Sequence, residues 1–377
     1  MTTSSPPYVP THDVLLTPGP ICCLDEIKQR MMIDYGSRDK RFLSIVDDIR
    51  RKLLAVSNTS PETHRTVLMQ GCGTMGIESV ISSVIPCQGV LAVFSNGSYG
   101  RRAVEIANAH QIKTHHIRLP ENKQVTPVLV LDTMIAHPEI THVHVVHHET
   151  TTGTLNPVYD IGTTIHAHNP DICLIVDAMS SYGGIPLDVE GAEIDFLISS
   201  SNKCIESVPG FSYIIARRES LERARGNART VTLDLVDQWD GLEKTGQFRF
   251  TPPTHSVVAF NHAIDLLVDE GGIDVRYQKY MAYNTYLREE MKKMGFEPYE
   301  VEIGNESNPP PIITSYRYPT DTFDFEKFYM MLAERKVIIY PGKLTNELLF
   351  RVGNIGAITW DDLKYTVLCV KEVVGLM

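Results

Sequence analysis

Between about residues 40 and 215 the apolar positions follow two alternating rhythms. Short, nearly continuous apolar runs read as strands: HRTVLMQG at 64–71, GVLAVFSNG at 89–97, ITHVHVVHHETTTG at 140–153, DICLIVDAMSS at 171–181, IDFLISSS at 194–201 and FSYIIAR at 211–217. Between or before them lie stretches with apolar residues at helical spacing: RFLSIVDDIRRKLLAV (41–56), TMGIESVISSVI (74–85), YGRRAVEIANAHQ (99–111) and YDIGTTIHAHN (159–169). Strand–helix alternation of this kind predicts an α/β domain, a mainly parallel sheet with helices on both faces.

The rhythm changes after TPPTHSVVAFNHAIDLLVDEGG (251–272), a long helical pattern that ends on Gly271-Gly272. A charged amphipathic helix follows in DVRYQKYMAYNTYLREEMKKMG. The rest mixes short strands (PIITSYRY, KVIIYPG, LFRVGN) with helices, and SNPPPI reads as an exposed loop. A smaller α+β domain over 265–377 is expected after a large one over 30–264.

Composition narrows the class. With 377 residues, 43% hydrophobic and 21% charged, the chain has room for two domains and the balance of an ordinary globular protein. Its net charge is −11 with no basic patch, which disfavours nucleic acid as a partner. No run of 18 apolar residues predicts a membrane span, and MTTSSPPYVPTHD reads as a flexible tail rather than a secretory signal. Seven scattered cysteines without a C-x-x-C pair suit a reducing cytosol, so a cytoplasmic protein is expected.

In open α/β sheets ligands bind beyond the carboxyl ends of the strands, and here those ends carry small, hydroxyl-bearing or ionisable residues. GCGT (71–74) opens a helix, offering backbone N–H groups and a hydroxyl to an anion such as phosphate. It is neither a Walker A loop nor G-x-G-x-x-G. Asp177 ends the ICLIV strand; it reads as a helix N-cap, or as the partner of a protonated ring nitrogen or a metal. Lys203, one strand later, is a solvated surface lysine or an amine drawn into a dry pocket, where burial lowers its pKa and makes it a nucleophile. An acid, an amine and a phosphate cradle at adjoining strand ends are what pyridoxal phosphate needs. The histidines of HPEITHVHVVHHE lack the cysteine or carboxylate set of a zinc site and read as polar or packed strand residues, with His147 or His148 approaching the site; no metal is expected. Arg351, in the apolar LLFRVGN strand, suits bidentate carboxylate binding or a structural ion pair.

The segments LLTPGP, SNGSYG, HHETTTGTLNP, VDAMSSYGGIPLD, DFLISSSNKCIESVPGFSYIIAR, RFTPPTHSVVAF, VIIYPGK and FRVGNIG resemble the class V, fold-type I pyridoxal-phosphate aminotransferases over residues 14–377. The resemblance implies a seven-stranded, mainly parallel sheet in the large domain, a small C-terminal domain, and an N-terminal segment over 1–29 that sits by the small domain and the active site. It makes Lys203 the Schiff-base lysine and Asp177 the partner of the pyridine nitrogen. Tyr99 stacks on the ring, Cys72, Gly73, Thr74 and Asn202 hold the phosphate, and Thr151 lies near the ring oxygen. Thr251 is lent to the phosphate by the other subunit of a homodimer. Arg351 clamps the substrate, with Gly19 of the TPGP segment and Arg38 as further substrate contacts.

Within the family the motifs imply transfer of an amino group from 2-aminoethylphosphonate to pyruvate, giving phosphonoacetaldehyde and L-alanine. The alternatives are an alanine–glyoxylate or serine–pyruvate aminotransferase of the same fold and, more distantly, a non-catalytic nucleotide-binding α/β protein. Cys72 departs from the frequent serine of the phosphate loop, and a thiol is the weaker donor. Arg38, in DYGSRDKRF, departs from the aromatic and acidic residues of some relatives; it reads as a phosphonate contact or as a surface residue.

Overall fold

A computed structural model describes residues 8–301, 311–342 and 347–377. The first seven residues of the tail, most of SNPPPI and Lys343 of VIIYPGK lie outside them. The chain opens with β1 (Val14–Leu15), α1 (Asp25–Gln29) and α2 (Lys40–Val56). The α/β part follows: β2 (His64–Gln70), α3 (Gly73–Val84), β3 (Val90–Ser95), α4 (Ser98–Ala109), β4 (Lys113–Arg118), α5 (Pro127–Ala136) and β5 (His142–Val146). A small hairpin, β6 (His148–Glu149) and β7 (Thr154–Leu155), leads to α6 (Val158–His168), β8 (Cys173–Asp177), β9 (Phe196–Ser200) and β10 (Phe211–Arg217). Then come α7 (Arg218–Arg223), α8 (Leu235–Thr245), α9 (Thr254–Glu270) and α10 (Gly272–Lys293). The last part holds β11 (Ile313–Arg317), α11 (Phe325–Ala333), β12 (Val337–Ile338), β13 (Tyr340–Pro341), β14 (Leu349–Gly353) and α12 (Trp360–Val374).

Seven strands form the main sheet in the order β2-β10-β9-β8-β5-β3-β4. The neighbours from β9 to β4 pair in parallel, whereas β10 runs antiparallel to both β9 and β2. The sheet is thus mainly parallel. All residues of β5, β8 and β9 are buried, as required of strands covered on both faces. Helix α2 shows how sequence sets this packing. The Asp39 carboxylate accepts from the Arg41 N–H and starts the helix, and Phe42, Val46, Ile49 and Leu53 then fall on one buried stripe.

One large hydrophobic core runs from Ile27 to Leu267 around this sheet. A second gathers Leu287, Met291, Phe296, Tyr316, Phe328, Phe350 and Val373 against the antiparallel sheet β11-β14-β13. The limit expected at 264/265 falls inside α9, whose Leu267 still packs in the first core. Val14 and Leu16 belong to the second core, because β1 pairs in parallel with β12. The N-terminal segment therefore docks on the C-terminal part before the chain enters the large sheet.

Candidate active site

Parallel pairing brings the ends of β8 and β9 side by side, with Asp177 in register with Ile198. A cavity of about 200 Å³ opens at these ends. Lys203, Asp177, Tyr99, Asn202, Cys72, Gly73 and Thr74 line it together with Arg102, Met179 and Ser200.

Lys203 stands three residues beyond β9 and is half-buried. Burial lowers its pKa; Tyr99, Cys204 and Asp177 pull it back in part, and the Arg351 charge adds a smaller push in the same direction as burial. Its Nζ donates to the Pro18 carbonyl at 2.5 Å, so the docked N-terminal segment roofs the amine. Gly19 is required there: a Cβ at this position would lie 2.5 Å from Lys203 Nζ, and its φ of +122° also favours glycine.

Asp177 is buried, and burial raises its pKa to about 6. Its one donor among the described residues is the Met179 N–H at 2.9 Å. No ion pair joins it to Lys203 among the described residues; the two charges interact across the cavity, with space between them.

Helix α3 points its N-terminus into the same cavity. Cys72 occupies the N-cap position and makes no side-chain cap, leaving the first-turn amides of Gly73 and Thr74 without a protein acceptor among the described residues. Gly73 is tight as well, since a Cβ would collide with the Met179 sulfur. Asn202 lines this side, its Oδ1 accepting from Ser200 Oγ at 3.1 Å.

Arg351 stands on β14, near the cavity but not in its lining. It is 1% exposed, and its Nε and Nη1 donate to the carbonyls of Pro341 (3.0 Å) and Thr150 (3.3 Å). Burial lowers its pKa while Tyr99, which hydrogen-bonds it, and Glu149 favour the charged form. The guanidinium is thus oriented by both parts of the chain.

Thr151, Thr251 and Arg38 also stand outside the lining. Thr151 is buried beside it, donating its hydroxyl to Glu149 (2.5 Å) and accepting from the Ser98 N–H (3.0 Å). Thr251 and Arg38 are exposed and do not line the cavity. His147 lies one step behind the site: its N–H donates to the Asp177 carbonyl at 2.8 Å and its ring meets Ser181. His142, His144, His147 and His148 are all buried, with pKa values lowered by burial to about 3–4.

Two site residues escaped the sequence reading. Arg102 lies one helical turn after Tyr99 on α4; its guanidinium covers the Tyr99 ring at 5.1 Å and donates to Thr74 Oγ1 at 3.3 Å. The i, i+3 spacing from Tyr99 was the available signal. Glu149, in the quoted HHETTTG, accepts from the N–H groups of Tyr99, Gly100 and Thr151 as well as from the Thr151 hydroxyl. It ties the start of α4, and with it Tyr99, to the β6–β7 hairpin.

The Aminotransferase class-V family profile matches residues 29–360. The chain belongs to the class V aminotransferases. A 2-aminoethylphosphonate–pyruvate transaminase of Phocaeicola vulgatus is 42% identical over 362 residues, covering 96% of this chain and 98% of that protein. The enzyme of the same name from Lysinibacillus sphaericus is 42% identical over 350 residues, 93% and 94% of the two chains. Among solved structures, alanine–glyoxylate aminotransferase from Nostoc sp. shares the fold at a TM-score of 0.87 and 22% identity, over 98% of this chain and 97% of its own.

Class V aminotransferases depend on pyridoxal 5′-phosphate, and the donor set here fits that group. The cavity holds a half-buried amine, a buried carboxylate and an aromatic ring, with, among the described residues, a single donor on the carboxylate and no acceptor on the first amides of α3. No described helix is long and apolar enough to cross a membrane.

Proposed function

We propose that the chain transfers the amino group of 2-aminoethylphosphonate to pyruvate, giving phosphonoacetaldehyde and L-alanine. The observation that carries this reading is the cavity in which Lys203, Asp177 and the open end of α3 meet, with the Arg351 charge close enough to act on Lys203. The substrate pair rests on the curated relatives, which match nearly the whole chain.

Bound pyridoxal phosphate supplies an aldehyde that takes up the amino group and a ring that absorbs the electrons released at the substrate carbon. Lys203 would hold it covalently through Nζ, Asp177 would face its ring nitrogen, and Gly73, Thr74, Asn202 and Cys72 would surround its phosphate. The lowered pKa of Lys203 keeps a larger neutral fraction of the amine, the form that attacks and that accepts a proton. The free Lys203 amine would take a proton from the donor carbon, and in the second half-reaction would deliver one to the acceptor carbon. Asp177 would keep a proton on the ring nitrogen. Tyr99, held from behind by Arg102 and at its backbone by Glu149, would stack on the ring. Arg351 binds the phosphonate of the donor and then the carboxylate of pyruvate, two anions that a planar guanidinium serves in turn. Gly19 leaves space beside the amine, and Thr151 stands near the ring oxygen.

We further infer a homodimer in the cytoplasm. Thr251 and Arg38 are exposed and do not line the cavity of their own chain, which accords with Thr251 serving the phosphate of a second copy. Seven free cysteines accord with a reducing compartment.

The test is a donor and acceptor screen on wild type and Lys203→Ala. Phosphonoacetaldehyde formed with pyruvate by the wild type alone is the expected result. Turnover restricted to alanine with glyoxylate, or full turnover by the variant, would overturn the reading.

A further inference from the structure

The edge of the sheet farthest from β2 carries a second group of ligating side chains. His115 lies on the edge strand β4, His137 is the residue that ends α5, and Glu139 stands in the turn before β5. Glu139 Oε1 is 2.9 Å from His115 Nε2 and 3.8 Å from His137 Nδ1. One ligand atom from each residue lies within 4.8 Å of the other two, and the imidazole rings are 4.2 Å apart. In a tetrahedral zinc site with bonds of about 2.0–2.2 Å, adjacent donor atoms are roughly 3.4 Å apart. The observed spacings straddle that value, so a small side-chain rotation brings all three to one centre.

We propose that His115, His137 and Glu139 bind one divalent transition-metal ion of the zinc class, at a surface site separate from the cofactor cavity. Two imidazoles and one carboxylate select zinc, nickel or copper over magnesium and calcium, which require oxygen donors. The side chains are 26%, 44% and 40% exposed, open enough for an ion to enter and for water to complete its coordination. A bound ion would join the edge strand to the end of α5, which the backbone pairing of β4 with β3 does not do. One nearby cation opposes it: Lys113 Nζ lies 3.9 Å from the same Glu139 oxygen. The histidine-rich segment after α5 supplies only two of the ligands; the third arrives from β4, more than twenty residues earlier, through the fold.

The holoenzyme is titrated with Zn2+ and with Ni2+ against a chromogenic chelator. Wild type is expected to bind one ion per chain in the micromolar range. His115→Ala, His137→Ala and Glu139→Gln should each weaken binding at least about tenfold, and Lys113→Met should tighten it a few-fold. His168→Ala, an exposed histidine on α6, should bind as the wild type does. Transaminase turnover and metal-free melting temperature should stay unchanged in all five variants, which separates lost ligands from lost folding. Equal binding by wild type and the three ligand variants, or no wild-type binding below millimolar, would overturn the site while leaving the proposed transamination intact.

Discussion

Two strand ends, one in the small β6–β7 hairpin and one in the large sheet, each place a carboxylate out of water, and they use it differently. At the end of β6, Glu149 is met by three backbone N–H groups and the Thr151 hydroxyl. At the end of β8, Asp177 has the Met179 N–H and a cavity. Burial raises both pKa values. Yet Glu149 is compensated by donors that belong to the fold, and Asp177 is left short of them. A buried acid that the protein does not satisfy is held ready for something the protein does not contain. The contrast separates an acid tied into the fold from one left facing the cavity.

Substituting the two carboxylates tests this most severely. Asp177→Asn is expected to lower kcat by about a hundredfold or more while the cofactor-free fold gains stability in alkali. Because the folded-state pKa of about 6 lies above the ordinary 3.8, the wild-type contribution is fully present below pH 3.8 and is lost as pH rises through 6. The cofactor-free variant should therefore exceed wild type by roughly 2–3 kcal/mol at pH 8, and melting as a function of pH would detect it. Glu149→Ala should behave in the opposite sense. Four donors are stranded, stability falls by about 3 kcal/mol or more in denaturant unfolding, and turnover per folded molecule falls less than in Asp177→Asn. If Glu149→Ala instead kept its stability and lost only turnover, the division between the two acids would be wrong.

Smaller effects sharpen the picture around them. Arg351→Lys keeps the charge but loses the fork; KM for pyruvate is expected to rise about tenfold or more with a smaller change in kcat, read from steady-state kinetics. Arg102→Ala removes the cation behind Tyr99 and the donor to Thr74, and should weaken cofactor retention by a few-fold, measured by the loss of cofactor absorbance on dialysis.

The parts legible in the sequence were those whose causes are local. Apolar runs such as CLIVD and FLISS announce buried strands, and helix α2 shows its stripe at 42, 46, 49 and 53. Strand β4 reads KTHHIR, with mostly exposed or half-buried side chains, and its edge position follows only from pairing with β3. The polar composition hides it. Helices α5, α7 and α8 escaped for a related reason: α7 is six residues long, and α5 buries only Val130 and Met134. In the site, the strand-end rule located the cavity wall from Cys72 to Lys203. Arg102 required the phase of a helix already anchored by Tyr99. The closure of Pro18 over Lys203 depends on pairing between residues far apart in the chain.

That pairing also sets an order of assembly during synthesis. Strand β1 finds its partner only when Val337 and Ile338 have been made. At ordinary elongation rates this is about a quarter of a minute to a minute after Val14 leaves the ribosome's catalytic centre. The large sheet is complete with Arg217, well before then, so the nascent chain carries Lys203 without the Pro18 carbonyl in its docked place. The amine gains its Pro18 cover only once the β1 and β12 segments have paired.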